Sequence, residues 1–476
     1  MTGLLDQVWA LLNRTLEVYR DNPRATGWLR WQADRLGGPL RIAVAGQPKA
    51  GKSMLVNALV GEEVAPLPLG DDALTTVWYL AGATPRATVY PPDGPPAEVP
   101  ADRSGGRLRV DLGEWRGRRL DRVVVDWPAR TLRGTALIDT PGAEPSTMER
   151  VATEADAVLY LTQHLHATDL GLLQALHEHP LAMAYPVGTL VVLSRADEMG
   201  GGRIDALFAA KQLARQHRRD ARTRALCQDV IAVTGLLGYA GRALRPPEFD
   251  ALATLAHAPR SEMDGYLLSA DRFAGADFPV PVDAELRRAL LDRLGLFGLR
   301  LATALIRQGF DTHGTLSAEL VQRSGLTEVR EAVARYFTDR APVLKARSAL
   351  LALEVVLRRE PRPPAAALVA ELERILAGAH EFRELRLLAA LSVGQLVLPA
   401  ELDAEARQLI GGSGSGLPVR LGLAEEPTAT GLRHAIIAAL RRWRDHAENP
   451  VLDEAARTAA ATVVRTCEGM LASVAP

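Results

Sequence analysis

Arg41-Ile42-Ala43-Val44-Ala45-Gly46-Gln47-Pro48-Lys49-Ala50-Gly51-Lys52-Ser53-Met54-Leu55-Val56-Asn57-Ala58-Leu59-Val60 is the stretch on which the fold turns. The apolar run RIAVA reads as a buried strand, and SMLVNALV reads as the helix after it. Between them Gly46, Gln47, Pro48, Lys49, Ala50, Gly51, Lys52 and Ser53 match GxxxxGK[ST], in the strand–loop–helix context that the pattern requires. Phosphate oxygens need convergent backbone N–H groups, so glycines let such a loop wrap them while the helix N-terminus adds its positive dipole end. Lys52 then reaches the β- and γ-phosphates, and Ser53 offers a hydroxyl to a Mg2+ ion bridging the same two groups. Only four lysines, Lys49, Lys52, Lys211 and Lys345, stand against 52 arginines, and two of the four lie in this loop. A slim ammonium fits there where a planar guanidinium does not.

Two later segments complete a nucleotide site. Asp139-Thr140-Pro141-Gly142 follows the strand TALI, where an acid at a strand end holds Mg2+ through water and the Gly142 N–H senses the γ-phosphate. By itself this tetrapeptide is also a good turn, and its place after the phosphate loop decides for the site. Ser194-Arg195-Ala196-Asp197 follows TLVVL, in the position of the pattern [NT]KxD, whose carboxylate accepts two hydrogen bonds from guanine N1 and N2. Adenine cannot make that pair, so Asp197 argues for GTP over ATP. Ser194 and Arg195 depart from the pattern, and a helix N-cap near Asp197 is the alternative reading. Thr234, in Val233-Thr234-Gly235 after the last strand, is placed to back the base.

Outward from the loop, short apolar runs alternate with helical stretches: TVWYLAG, RVVVDW, TALIDTPG, AVLYLTQ, TLVVLSRAD and DVIAVTG. That alternation predicts an α/β domain with a mostly parallel sheet and helices on both faces. Beyond about Gly238 the strand signals fade into helices separated by breaks such as RPPEF, REPRPP and GGSGSGLP. Residues 1–38 also read as helical, with Leu5, Trp9, Leu12, Leu16 and Tyr19 on one stripe and Asn22-Pro23 ending the first helix. Ala456, Ala460, Val463, Cys467, Met470 and Val474 form a seam of small residues, and the N-terminal stripe is its expected partner.

At 476 residues the chain exceeds one ordinary core. Its 56 basic and 57 acidic residues leave a net charge of -1, which supplies no whole-molecule field for nucleic acid or an anionic membrane. Cys227 and Cys467 are too few for a disulfide framework, which points to a reducing, cytoplasmic setting. The start, MTGLLDQVWALLNR, reads as having no leader. The longest apolar stretch, Leu387–Ala400, falls short of the roughly 20 residues of a spanning helix, so any lipid contact is peripheral.

The loop Leu67-Pro68-Leu69-Gly70-Asp71-Asp72-Ala73-Leu74-Thr75-Thr76-Val77 completes a set of motifs in order within residues 46–197, and with them the sequence resembles the dynamin superfamily. Members carry a GQxxxGKS-type loop, an LPxG segment leading to a switch threonine, DTPG or DLPG, and a shortened base motif. Counting from Pro68-Leu69-Gly70 points to Thr75 as the metal-binding threonine, and the TT-V context of bacterial members points to Thr76. SGLTEVREAVARYF, Ser324–Phe337, is similar to the helix that closes the GTPase domain of bacterial dynamin-like proteins, and general likeness points to the actinobacterial isoniazid-inducible branch. The resemblance implies an α/β P-loop GTPase domain with a mostly parallel sheet plus an all-α neck and stalk bundle. It places N-terminal helices packing on the neck in residues 1–38 and the GTPase core in residues 39–240. A helical extension over residues 241–340 and a helical neck and stalk over residues 341–476 follow.

The same resemblance implies a Mg2+-dependent enzyme that hydrolyses GTP to GDP and phosphate when two GTPase domains meet. Such an enzyme remodels, tethers or cuts membrane, peripherally at the inner face of the plasma membrane. Its partners would be a second copy, a paralogous dynamin-like protein and lipid, with no nucleic acid. Lys49 stands where dynamins commonly place a serine that helps hold a monovalent cation and where guanylate-binding GTPases place an arginine. It is therefore a candidate for transition-state charge, or else a solvated surface lysine. Ala143 follows DTPG, so no side chain there orients the attacking water. The apolar segments 391–399 and 417–423 are candidate lipid-inserting tips, with a buried core helix as the alternative for the first. The competing function is a soluble regulatory GTPase whose helical half binds a protein.

Overall fold

Strand β1, Leu40–Gly46, is buried on both faces, which is why its sequence is a continuous apolar run instead of an alternating one. A computed structural model of the chain describes residues 3–67, 75–142, 144–178, 188–203, 205–275, 277–423 and 427–474. Leu40, Ile42 and Val44 enter one hydrophobic cluster with the helix Lys52–Val60, and Ala43 and Ala45 enter another with the helix Pro145–Glu154. The remaining strands are β2 (Thr76–Ala81), β3 (Arg86–Tyr90), β4 (Ala97–Val99), β5 (Ala101–Ser104), β6 (Arg107–Val110), β7 (Arg122–Trp127), β8 (Thr135–Asp139), β9 (Ala157–Thr162), β10 (Thr189–Leu193) and β11 (Asp229–Ala232).

Nine of them form one sheet in the order β11-β10-β9-β1-β8-β2-β7-β3-β4. From β11 to β8 every neighbour is parallel, whereas β2 runs antiparallel to β8, and β3 is antiparallel to β7 and β4. The seven strands expected from the apolar runs are all present. The strands β3 to β6 are additional, and their signals are broken by Pro85, Pro91, Pro92, Pro95, Pro96 and Pro100. β1 lies between β8 and β9, so the carboxyl ends of these strands open the crevice where parallel α/β sheets bind ligands.

Helices build the rest. Leu326, Val329, Ala332, Tyr336 and Phe337, from the expected closing segment, are buried in the same cluster as Leu40 and Ile42. The N-terminal helices Leu4–Val18 and Pro23–Gly37, with Tyr19 between them, bury Val8, Leu11, Leu12, Tyr19 and Leu29 against Leu350, Leu353, Leu368 and Leu372. This corrects the expected pairing of the N-terminal stripe with the C-terminal seam. Val463, Cys467 and Met470 on the helix Glu454–Ser473 pack with Ile436, Leu440 and Trp443 on the helix Ala429–Glu448. A connection of five residues, Asn449–Asp453, favours that antiparallel neighbour over one distant in sequence. No helix among the described residues is long and apolar enough to cross a membrane.

The C-terminal bundle has a near and a far end. The Gly411 carbonyl accepts from Arg340, and the Gly412 carbonyl accepts from Gln228 Nε2 at 2.9 Å, which fixes the near end to the sheet domain. The helix His380–Val393 runs against Glu454–Ser473 in the opposite sense: His380 meets Thr466 at 2.9 Å, and Leu396 lies by Glu454 and Ala455. The turns after Val393 and after Glu448 therefore share the far end, where Val397 and Val451 are 81% and 88% exposed. Within the stretch 391–399, Leu391 and Leu398 are core while Val393 and Val397 are exposed.

Truncating the fully buried Phe337 tests whether the segment 326–337 is part of the sheet domain's core. Phe337→Ala should cost about 3–5 kcal/mol and lower the thermal midpoint of the whole chain by several degrees. An unchanged midpoint would contradict that packing.

Candidate functional site

The loop after β1 must turn directly over its neighbouring strand. Gly46 has φ 143°, and a Cβ there would stand 1.9 Å from the Leu161 carbonyl oxygen, so no other residue fits. The loop continues with Lys49 at φ 60° and Gly51 at φ 86°, left-handed conformations that turn successive N–H groups to one side. Pro48 lies over Gly142, where a Cβ would approach the proline ring to 2.7 Å, so the phosphate loop and the DTPG turn are in direct contact. Ala50 is buried beneath the loop, and Pro48 and Lys49 are exposed.

The Lys52 ammonium donates to the carbonyls of Gly46 and Gln47 at 3.0 and 2.9 Å. Burial holds its pKa below the usual lysine range, and the neighbouring Asp139 acts in the other direction. Ser53 Oγ donates to Asp139 Oδ2 at 2.8 Å, while the second carboxylate oxygen, Oδ1, is buried with no hydrogen-bond partner among the described residues. Burial raises the Asp139 carboxyl to about 6, against the pull of Ser53 and Lys52. A buried carboxyl with one idle oxygen beside a serine hydroxyl matches a hard cation that takes oxygen ligands. Among the described residues no group of three or more His, Cys, Asp or Glu side chains gathers to hold a metal, so such a cation would need phosphate and water for its other ligands.

Thr75 and Thr76 come to this end of the sheet because Val77 pairs with Asp139 in the β2–β8 register. Thr75 Oγ1 donates to the Leu120 carbonyl at 3.1 Å. Thr76 Oγ1 accepts from Trp78 Nε1 at 3.3 Å and from Arg150 at 3.2 Å. The loop Pro68–Leu74 and Ala143 lie outside the described residues.

The base motif is brought to the far side of the same loop. A cavity of about 200 Å³ is lined by Lys49, Gly51, Met54 and Leu161 on one wall and by Ser194, Arg195, Asp197, Val233, Gly235 and Leu236 on the other. Ser194 Oγ is buried without a hydrogen-bond partner among the described residues, and Arg195, at φ 52°, pairs with Glu198 at 3.2 Å. Burial raises the Asp197 carboxyl above the usual range, with its own backbone, Thr234 and Arg195 opposing. Thr234 is buried next to it, and the Ala196 N–H donates to the Val233 carbonyl at 3.2 Å, which ties the motif to the end of β11.

Sequence reading missed Asp169. Its buried carboxylate accepts from Gln47 Nε2 at 3.0 Å, Tyr160 OH at 2.8 Å and the His166 N–H at 2.9 Å, and so holds Gln47 of the loop from below. An acid 122 positions from its loop partner leaves no local pattern. The apolar walls Met54, Leu161 and Leu236 were equally silent, because in sequence they read as ordinary core residues.

No protein-family model matches the chain. Over 485 aligned residues it is 38% identical to the isoniazid-induced protein IniC of Mycobacterium tuberculosis, in strains CDC 1551 / Oshkosh and ATCC 25618 / H37Rv, covering 98% of this chain and 98% of the relative. Two solved chains of an oligomerised bacterial dynamin pair, described as sensing and tethering membranes at long range, are similar at TM-scores of 0.33 and 0.32. Their identities are 12% and 13%, over 99% of this chain and 74% of each of theirs.

The Asp139 carboxyl gives a pH test. The fold retains a proton up to about pH 6 that the unfolded chain releases near 3.8, so stability falls as pH rises through that interval. Without Mg2+, Asp139→Asn should gain about 2–3 kcal/mol on the parent between pH 4 and pH 7 in denaturant melts. A pH-independent difference between the two would contradict the buried carboxyl.

Proposed function

This chain belongs to the family of the isoniazid-induced protein IniC, and on that premise we propose that it is a bacterial dynamin-like protein that binds GTP with Mg2+ and hydrolyses it to GDP and phosphate. The observation that carries the proposal is the cavity joining the loop Lys49–Gly51 to Asp197, with the Ser53–Asp139 pair on the other flank of that loop. Its 200 Å³ is below the roughly 300–1,000 Å³ of a pocket for a whole ligand, and suits the base while the phosphates lie over the loop.

Each residue then has a chemical task. The N–H groups of the loop grip the phosphates, and Lys52 exchanges its two carbonyl partners for β- and γ-phosphate oxygens. Ser53, and Asp139 through water, would hold a Mg2+ ion, whose positive charge would offset that of the phosphates. Asp197 accepts from guanine N1–H and N2–H, and Ser194 lies at the same wall with a spare hydroxyl. Thr76 is already engaged by Trp78 and Arg150, whereas Thr75 makes one neutral bond to Leu120, so we take Thr75 as the threonine that turns to the metal. Lys49, exposed at the mouth of the cavity, supplies positive charge in the transition state. With Ala143 in the place of a water-orienting residue, basal turnover is slow, and facing of two GTPase domains completes the site.

The helical half is proposed to touch membrane at its far end, where Val397 and Val451 are exposed. Glu401, Glu448, Asp453 and Glu454 lie in sequence beside that tip, so its contact with lipid rests on hydrocarbon insertion and not on attraction to anionic headgroups. A second reading, a regulatory GTPase that binds a protein, is favoured by a groove of about 860 Å³ lined by Leu387, Ala390, Leu396, Ala455 and Ala459.

Lys52→Ala should abolish guanine-nucleotide binding in calorimetry. Asp197→Asn presents an amide N–H where guanine also has a donor and xanthine has an oxygen, so affinity for GTP should fall at least about tenfold and affinity for XTP should rise. Retained GTP preference would remove Asp197 from the base site. For the tip, Val397→Glu combined with Val451→Glu should release the chain from co-sedimenting neutral liposomes. Unaltered sedimentation would move the assignment to the protein-binding reading.

A further inference from the structure

The helices His380–Val393 and Glu454–Ser473 pack against each other, and beside their seam each turns a second face outward. On the first helix that face is His380, Arg383, Leu387 and Ala390, at steps of three and four. On the second it is Ala455, Thr458, Ala459 and Thr462. The two faces are the walls of the groove of about 860 Å³. Thr458 Oγ1 donates to the Glu454 carbonyl at 2.8 Å, and Thr462 Oγ1 donates to the Thr458 carbonyl at 3.1 Å. Both hydroxyls are satisfied within their own helix, so methyl groups are what these side chains leave for a neighbour. Leu387 and Ala459, 8% and 3% exposed, make the floor apolar as well. Two helix faces that open in this way, one of them lined by small side chains, are two sides of a three-helix packing. The wall from Ala455 to Arg465 is about 15 Å long, or about three helical turns.

Charge is gathered at one end of this groove. Arg383 Nε and Arg386 Nη2 donate to the same Ala377 carbonyl at 3.1 and 3.4 Å, and Arg386 Nη1 donates to the Leu376 carbonyl at 3.1 Å. Neither guanidinium has a carboxylate partner among the described residues. Two like charges drawn to one carbonyl oxygen repel each other, and neutral acceptors do not cancel them. Across the groove Arg465 reaches Glu468 at 3.3 Å, but Glu468 is shared with Arg444 at 3.0 Å, so that trio keeps a net positive charge. The buried acid nearby is already committed: Glu384 pairs with Arg420, accepts from Thr466 at 2.7 Å and lies 3.4 Å from His380. Glu454 lines the opposite end.

We infer that this groove seats one amphipathic helix of another protein, about three turns long, with small apolar residues on its buried face and carboxylates at the end that meets Arg383, Arg386 and Arg465. The helical spacing on both walls supplies the fit, and the three guanidinium groups supply the sign of the charge. A single hydrocarbon chain would match the methyl-lined floor but not the helical spacing of the walls. The proposal does not rest on the nucleotide site. It rests on the protein-binding reading of the groove and gives that partner its chemistry.

The test titrates the full chain against a fluorescein-labelled synthetic helix of about three turns, with alanine and leucine along one face and glutamates gathered in its first turn, where they also steady the helix. Anisotropy should show saturable binding that weakens with added salt, and a counterpart with lysines for the glutamates should bind at least about tenfold more weakly. Arg383→Glu combined with Arg386→Glu should reverse that preference. Thr458→Trp obstructs the groove from an exposed position, as does Ala461→Trp, so each should keep the parent's thermal midpoint and lower the affinity for the glutamate peptide at least about tenfold. Equal binding of the two peptides would overturn the acidic partner and leave the protein-binding reading standing. Glutamate-peptide binding that both tryptophan variants leave unchanged would overturn the groove as its seat. No binding of either peptide would remove the protein-binding reading with the proposal, and saturable binding of monomeric oleate in that case would assign the groove to a fatty chain.

Discussion

Asp139 keeps a carboxyl group inside the domain with one oxygen bonded by Ser53 and, among the described residues, no hydrogen-bond partner for the other. Such a group is unfavourable to ionise where it stands, and its raised pKa is the direct expression of that cost. The surrounding architecture holds it there: Asp139 ends β8, β8 pairs with β1, and β1 delivers Ser53 and Lys52 to the same point. A divalent cation and phosphates offset what the protein leaves unsatisfied, so the strained carboxyl and the proposed ligand are two sides of one constraint. The backbone obeys the same constraint at Gly46, whose lack of a side chain lets the loop pass over Leu161 to reach that position.

Much of this was legible in the sequence because it is written locally. The phosphate loop spans eight residues, and the strands β1, β2 and β7 to β11 announce themselves as apolar runs. What stayed hidden depends on distance or interruption. Strands β3 to β6 lie in a segment broken by six prolines, which obscures the alternation that marks a strand. Asp169 beneath Gln47 and Arg41 between Trp31 and Trp78 are contacts across the fold, and neither leaves a periodic trace. The stripe on the first helix predicted correctly that a partner exists, but periodicity carries no address, and the helices after Arg340 supplied that partner in place of the C-terminal seam.

The division into cores gives the chain its working parts. The sheet domain is completed by the segment Leu326–Phe337, the N-terminal helices share a core with the helices that follow Arg340, and the C-terminal bundle has a core of its own and meets the sheet domain through Gln228 and Arg340. Polar contacts such as Arg35 with Asp156 and Gln228 with the Gly412 carbonyl bridge those junctions, while the apolar clusters lie largely within each body. That arrangement favours movement of whole bodies over deformation within them.

Calorimetry of the full chain at pH 6 with a non-hydrolysable GTP analogue and Mg2+, repeated in buffers of different ionisation enthalpy, tests the central claim most directly. The account predicts tight binding with a buffer-dependent heat, because Asp139 gives up its proton when the cation arrives, and much weaker binding of the matching ATP analogue. No heat, equal binding of ATP, or a heat independent of buffer would contradict it.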